Sequence, residues 1–564
     1  MNKQTLALIA ALLAAVAFSA CNKDDITLVD ETDVIDNGGG SGSGSEPIYD
    51  EGEFDYIVRV VYSGTGATVE GTTDSITAAK SGAHVVITNS STKKVRYQLS
   101  GSTSDGSFKL YSKRKQAVEL SDVTITNPTG AAINIQSGKT AYVIMKGSST
   151  LKDGSTYTTA DGEDQKAAFF SEGQLIFSGS GSLNVEAVGA SAITSDDYLK
   201  FTEGSVKVSS TKGHGLRGKD SVIVAGGILD VSVSANSRKG ITTDGFCSIA
   251  GGEINITVSG GTAADDDGSY SGSAGIKSDS VFTITAGQLT ISNSGQGGKG
   301  ISGDNDGFFY GGKVTINVAG TNYGSSGGGG GPWGGGGGSS ENSVGAKGIK
   351  FDGNLTFAGA EVYVNATSHE GIEAKKTLTI SSGIVYSYSK SDDAINSGSH
   401  LTISGGYVYG HSAGNDGIDA NGNMYIRGGL VYAIGKSSPE VALDANTEER
   451  YKLYVEGGTL ITIGGLENGA SLTQSCYSAS SWNKNTWYGM TVGGNSYCFK
   501  TPSSGGSKLV VSGASTPTLY SGVTSGTGTI YFNNTLIEGA EAYSGGTRVN
   551  LSSYTGGGGG PGGH

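Results

Sequence analysis

From about residue 130 the chain carries short apolar pairs whose two members stand two residues apart. Leu378 and Ile380, Leu401 and Ile403, and Met424 and Ile426 form one set, with Val222 and Val224, and Cys247 and Ile249, in the same rows earlier. A second set follows each of these: Ile254 and Ile256, Leu289 and Ile291, Val314 and Ile316. A spacing of two is the strand period, and the β-branched enrichment agrees with it. Gly226-Gly227, Gly251-Gly252, Gly405-Gly406 and Gly428-Gly429 separate the sets. Glycine can turn the chain sharply there because positive φ costs it little.

A longer period organises these pairs. A Gly or Ala, the small residue of the repeat, followed by an aliphatic or aromatic one recurs with its second member at Ile133, Phe169, Ile193, Leu216, Ile241, Ile276, Ile301, Ile349, Ile372, Ile395, Ile418 and Leu443. Most steps are 23–25 residues, and the three long ones carry insertions at 150–166, 260–274 and 320–346, all at one corner of the repeat. Such a period marks a solenoid, and insertions on one edge build a rim. The expectation is an all-β fold: a right-handed parallel β-helix with three short strands per coil. Residues 131–465 form the helix, 55–130 an N-terminal cap of strands that shields the first coil, and 466–555 a C-terminal β cap. The 556–564 tail lies outside the fold. Antiparallel hairpins are the competing plan, and the scarcity of Asn-Gly turns argues against them.

Composition narrows the function. The chain has 564 residues, 97 of them Gly, with 38 Lys+Arg against 52 Asp+Glu and a net charge of −14. An acidic chain without a basic tract argues against nucleic acid as a partner. Six His and four Cys without CxxC or HExxH exclude zinc-finger and zincin chemistry. Residues 1–20 have a short apolar core and read as a secretory signal. Phe18-Ser19-Ala20-Cys21 resembles a bacterial lipobox, which implies lipidation of Cys21, and Asn22-Lys23-Asp24-Asp25 resembles the export signal of bacterial surface lipoproteins. Residues 22–54 then form a flexible tether, and the protein is expected on the outer membrane as a surface-exposed monomer. Cys476 and Cys498 could bridge in this exported context, whereas Cys247 sits in an inward row.

Three rows carry candidate chemistry. Numbered from the aliphatic residue of each coil, positions −2 and +1 of the last coils hold Glu370, Asp393 and Asp416, then Glu373, Asn396, Asp419 and Asp444, with Asp392 beside them. Stacking at one coil per repeat brings these oxygens together, and like charges that close repel. A divalent cation would relieve the repulsion, and an all-oxygen set suits calcium; a solvated acidic ladder is the plainer reading. The second row, at +14, is Tyr363, Tyr386, Tyr409 and Tyr432, which alternation places outward. It can stack on sugar rings or merely on itself. The third row is basic and lies in earlier coils: Arg217, Lys239, Lys277, Lys299, Lys347 and Lys350. At +3, Asp196, Asp244, Asp279, Asp304, Asp352, Asn421 and Asn446 are expected to cap turns through backbone NH groups.

Five stretches resemble a known family: 213–220, 368–374, 391–396, 415–422 and 442–444, among them Asn415-Asp416-Gly417-Ile418-Asp419-Ala420. The chain resembles bacterial cell-wall carbohydrate-binding domains with a polysaccharide-lyase-like parallel β-helix. That resemblance implies binding of acidic plant polysaccharides such as polygalacturonate, and of cellulose, with Ca2+ held by the acidic coil motifs and no established lyase activity. Ala394, where the family favours Gly, and the 320–346 insertion depart from it. The expected function is calcium-dependent polysaccharide binding without cleavage. The alternatives are a calcium-dependent lyase using a basic residue such as Lys347 or Lys350, and a structural or adhesive surface protein.

Overall fold

Glycine pairs and period-two apolar residues build a stack of turns, each made of short strands. The computed structural model describes residues 54, 56–265, 267–324 and 343–556. The signal segment, Cys21, nearly all of the tether, the glycine-rich part of the third insertion and the end of the tail lie outside the described residues. The chain is nearly all β and forms a parallel β-solenoid of about 14 turns. A representative turn contains Lys239–Thr243, Phe246–Ile249 and Glu253–Val258. Each strand pairs in parallel with its counterpart one turn on, Ile241 with Ile276, Cys247 with Phe282 and Ile254 with Leu289. The first strands of all turns form a fourteen-stranded sheet, and the second and third strands share a larger one.

The period-two residues point inward and are fully buried, as Ile241, Ile276, Ile301, Ile372, Ile395 and Ile418 illustrate. Each such side chain contributes roughly 1.5–3 kcal/mol of burial. Cys247 lies among them at 1% exposure, as its row implied. Aromatic residues stack along the core axis: the Phe177 and Phe201 rings are 4.9 Å apart, as are those of Phe309 and Phe357. Between the second and third strands the second glycine of each pair is left-handed, with φ +82° at Gly227, +83° at Gly252 and +81° at Gly406. A Cβ on Gly252 would lie 2.8 Å from the Gly227 carbonyl oxygen one turn below, so backbone shape and stacking distance both demand glycine.

Parallel pairing begins earlier than the period marks it. Tyr56–Ser63, Val95–Thr103, Gln116–Thr126 and Ala141–Lys146 pair in parallel in one sheet, as do Ala83–Asn89, Gly106–Ser112 and Ile133–Gln136 in the other. Residues 56–130 are therefore mostly solenoid turns. Only Gly66–Glu70 and Ile76–Ser81 close the end, each pairing antiparallel with its neighbour. The step is present, with Val85 pairing Phe108 and Phe108 pairing Ile133, but His84 and Ser107 replace the small residue that marks later turns.

At the other end the ladder gives way to antiparallel strands. Leu509–Ser512 pairs with both Thr459–Ile463 and Cys476–Ala479. A six-stranded antiparallel sheet includes Trp487–Val492, Asn495–Lys500 and Thr518–Ser521. This unit folds back over the tyrosine row and forms a second core with it: Tyr409, Tyr432, Ile461 and Ile463 pack with Tyr488, Met490, Phe499, Phe532 and Leu536.

Two expectations are corrected here. Tyr409 and Tyr432, placed outward on an open face, are 5% and 0% exposed because the C-terminal strands cover them. Tyr432 donates its hydroxyl to the Lys500 carbonyl at 3.0 Å, and Phe532 lies 5.4 Å from the Tyr409 ring. Tyr363 and Tyr386 are half-buried, and Tyr386 stacks on Tyr409 at 4.8 Å. The row is thus largely an internal seam. The expected Cys476–Cys498 bridge is absent, both thiols being free. Cys476 joins the solenoid core, whereas Cys498 packs with Val523, Ile537 and Ala542 in another layer.

Candidate functional site

The outer face of the fourteen-stranded sheet collects the predicted charged residues. Alternation in strands such as Ile349–Phe351 and Ile418–Ala420 turns the flanking apolar residues inward and the middle one outward. The +1 row reads Arg217, Thr242, Lys277, Ser302, Lys350, Glu373, Asn396 and Asp419 from turn to turn. The bridge from Ile418 to Leu443 and on to Leu466 brings in Asp444 and Glu467. The −2 row beside it reads His214, Lys239, Ala274, Lys299, Lys347, Glu370, Asp393 and Asp416.

The charge reverses at one side chain. Lys347 Nζ lies 3.1 Å from Glu370 and 2.5 Å from Glu373, and Lys375 also pairs with Glu373. Burial disfavours the Glu373 carboxylate, and these lysines more than offset it, so its pKa falls.

Beyond that clamp, and apart from Asp392, which pairs with His369, the carboxylates of these rows have no cationic side-chain partner among the described residues. Asp393 accepts hydrogen bonds from Asn396 Nδ2 and the Asp416 backbone NH, both at 3.1 Å. Asn396 Nδ2 also reaches Asp419 at 2.9 Å, and Asp416 accepts from the Val441 NH at 2.5 Å. Among the described residues neither Asp393, Asp416, Asp419, Asp444 nor Glu467 pairs with a Lys, Arg or His. Burial, then the neighbouring Asp392 charge, pushes the Asp393 pKa up to about 8. Burial with Asp444 pushes Asp416 up to about 9, and burial with the three surrounding aspartates pushes Asp419 well above the usual range. Glu467 rises to about 8 through burial and Asp444. These shifts share one physical origin: charge removed from water with nothing positive beside it.

The eight predicted ligands thus divide. Asp393, Asn396, Asp416, Asp419 and Asp444 form one string, and Glu373 is occupied by lysines. Glu370 and Asp392 gather around His369, with Asp392 Oδ2 2.8 Å from Nδ1 and all three ligand atoms within 4.8 Å of one another. Burial lowers the His369 pKa, but its bonds to Asp392 and Glu370 outweigh that and raise it to about 9. Neither His369 nor Glu467 was among the candidate ligands read from the sequence. The turn-to-turn step from Leu443 to Leu466 is 23 residues, which was the available signal for Glu467.

The basic half is compensated from within. Arg217 reaches both Asp244 oxygens, at 3.0 and 2.9 Å, while Lys277 pairs with Asp279 and Asp304 and Lys350 with Asp352. These +3 aspartates serve as counter-ions rather than the expected backbone caps. Asn446 does cap, accepting from the Glu449 NH, and much of the backbone capping passes to +2 hydroxyls such as Ser195, Thr243 and Ser278. In the first insertion Glu163 holds Lys109, and Asp164 and Asp196 share Lys166.

Comparison with known proteins gives one family and one solved structure. The family model for carbohydrate-binding domain-containing proteins matches residues 81–245 and 297–417, just over half of the chain. A polysaccharide lyase-like protein from C. thermocellum, solved as a gadolinium derivative, is 25% identical over 44% of this chain and 94% of its own, with a TM-score of 0.37. No relative was found among curated proteins. With its matched segments covering most of the turns that carry the charged face, this chain belongs to the family of carbohydrate-binding domain-containing proteins.

Proposed function

We propose that the protein binds polysaccharide along the outer face of the fourteen-stranded sheet, without cleaving it, and that calcium belongs to the acidic half of that face. The observation that carries this reading is the string Asp393–Asp416–Asp419–Asp444–Glu467, the first two buried and the other three half-buried, with no cationic side chain paired to any of them among the described residues. The donor set is all oxygen and fits a hard cation. Calcium there would neutralise the string and supply a positive centre for sugar hydroxyls or carboxylates. A lipid anchor at Cys21 would hold the protein at the outer membrane, facing its polymer.

The test is retention of the full chain on polygalacturonate and on cellulose, with calcium and with chelator, while following unsaturated uronate by ultraviolet absorbance. Retention that disappears in chelator, with flat absorbance, is the expected result. Rising absorbance would make the protein a lyase, and no retention on either polymer would leave a structural surface protein.

A further inference from the structure

Four of the six cations on the basic half are held by carboxylates, and two are not. Lys239 donates to the Ser237 carbonyl at 2.7 Å and to Ser271 Oγ at 3.1 Å, both neutral. Lys299 has no side-chain hydrogen bond or ion pair among the described residues. Burial, reinforced for Lys299 by Lys350 and Lys347, lowers each ammonium to a pKa of about 8. An anion reaching either group would restore the charge that burial disfavours.

Their placement is regular. Lys239 pairs in register with Ala274, and Ala274 with Lys299, so the two lysines occupy one row two sheet steps apart, about 9.6 Å at the usual strand spacing. Ala274 puts only a methyl group between them. Beside them the +1 row offers hydroxyls at Thr242 and Ser302; an open cleft of about 540 Å³ borders the Lys239 end, lined by Lys239 and Thr242 and also by Arg217, Lys277 and the carboxylates of Asp244, Asp279 and Asp304 that hold them, while Lys299 lies outside it. The second insertion borders this edge: its Ser271 accepts from Lys239, and its Tyr270 packs on Tyr323 of the third insertion at 5.2 Å. The next member of the row, Lys347, is already taken by Glu370 and Glu373, so the unpaired cations end at Lys299.

We infer that Lys239 and Lys299 read the anionic groups of a linear acidic glycan lying along the solenoid axis, one that turns a carboxylate to the same side at every second sugar. The inference rests on the polysaccharide-binding reading and adds to it the subsite and the pattern of charge on the ligand. An extended hexose unit is about as long as one solenoid turn, so two turns match two sugars. In a ribbon with twofold symmetry, alternate carboxylates face one edge and meet the two ammonium groups, while ring hydroxyls meet Thr242 and Ser302. A neutral glycan in the same place would leave both half-buried ammonium groups without a counter-ion, so the edge discriminates by charge.

Affinity of the full chain for polygalacturonate and for its methyl-esterified form, at low salt with calcium, tests this. Wild type is expected to prefer the acid form. The Lys239→Ala, Lys299→Ala double variant should lose about tenfold or more in affinity for the acid polymer, with a shallower salt dependence and unchanged affinity for the ester. Lys207→Ala, exposed on the other sheet, controls for a general charge effect. The Lys239→Gln, Lys299→Gln pair serves if the alanine protein does not fold. Each single variant should lose most of what the double variant loses on an oligomer of three or more sugars, and little on the monomer. Equal binding of the acid and ester forms, or a double variant that binds like wild type, overturns the inference while leaving polysaccharide binding intact. Wild type that binds neither polymer, nor cellulose, overturns both.

Discussion

The two halves of the charged face share one backbone and one register yet balance their charge differently. In the basic half three of the six cations have an aspartate two or more positions along the same edge, as with Lys277 between Asp279 and Asp304. In the acidic half, past Lys347, Lys375 and His369, the string has no such counter-ions among the described residues, and Asp393, Asp416, Asp419 and Glu467 all titrate above their usual range. A stacked strand row repeats its chemistry at every step, so a row of one sign accumulates repulsion unless a neighbouring row cancels it. The basic half cancels four of its six cations within the chain and leaves Lys239 and Lys299. The acidic string has no cancelling row within the described residues, and the proposed calcium would supply the missing charge.

The sharpest way to break this contrast is to remove its junction. Lys347→Met should destabilise by about 1–3 kcal/mol, because the buried Glu370 and Glu373 lose their shared cation and keep only His369 and Lys375; denaturant unfolding reads this, and added calcium should recover part of it. Next in size is pH dependence in chelator. The folded pKa values of Asp393, Asp416 and Glu467, about 8 to 9, exceed those of the unfolded chain. The stability these groups lend is therefore complete below about pH 4 and lost as pH rises through 8 to 9. Between pH 5 and pH 9 the melting temperature in chelator should fall by several degrees, and calcium should flatten that slope. Smaller again, the Asp416→Asn, Asp419→Asn variant should melt a few degrees above wild type in chelator and no longer gain from calcium. The smallest effect belongs to the compensated half. Asp304→Asn should cost under about 1 kcal/mol, since Lys277 keeps Asp279.

Much of the architecture was legible because a solenoid writes its period into the chain. The inward rows, the glycine corners and the meeting of Asp393, Asn396, Asp416 and Asp419 followed from steps of 23 residues. What stayed hidden depended on contacts between distant segments. The tyrosine row alternates outward as expected, but only the fold-back of strands such as Trp487–Val492 decides that Tyr409 and Tyr432 are buried. The early turns escaped notice because His84 and Ser107 stand where later turns place a small residue. The counter-ion role of Asp244 and Asp304 was concealed for a similar reason: each pairs with a cation of the preceding turn, at 27 residues' separation in both cases. The role of His369 was hidden for the same reason, since its partner Asp392 belongs to the next turn.

The central claim is that the acidic half of the face takes a calcium ion that the chain cannot replace. Calorimetric titration of calcium into chelator-stripped full-length protein, run in parallel on the Asp416→Asn, Asp419→Asn variant, tests it most directly. Saturable binding to wild type with a rise in melting temperature, both lost in the variant, is the predicted result. No heat of binding to wild type, or equal binding by the variant, would contradict it.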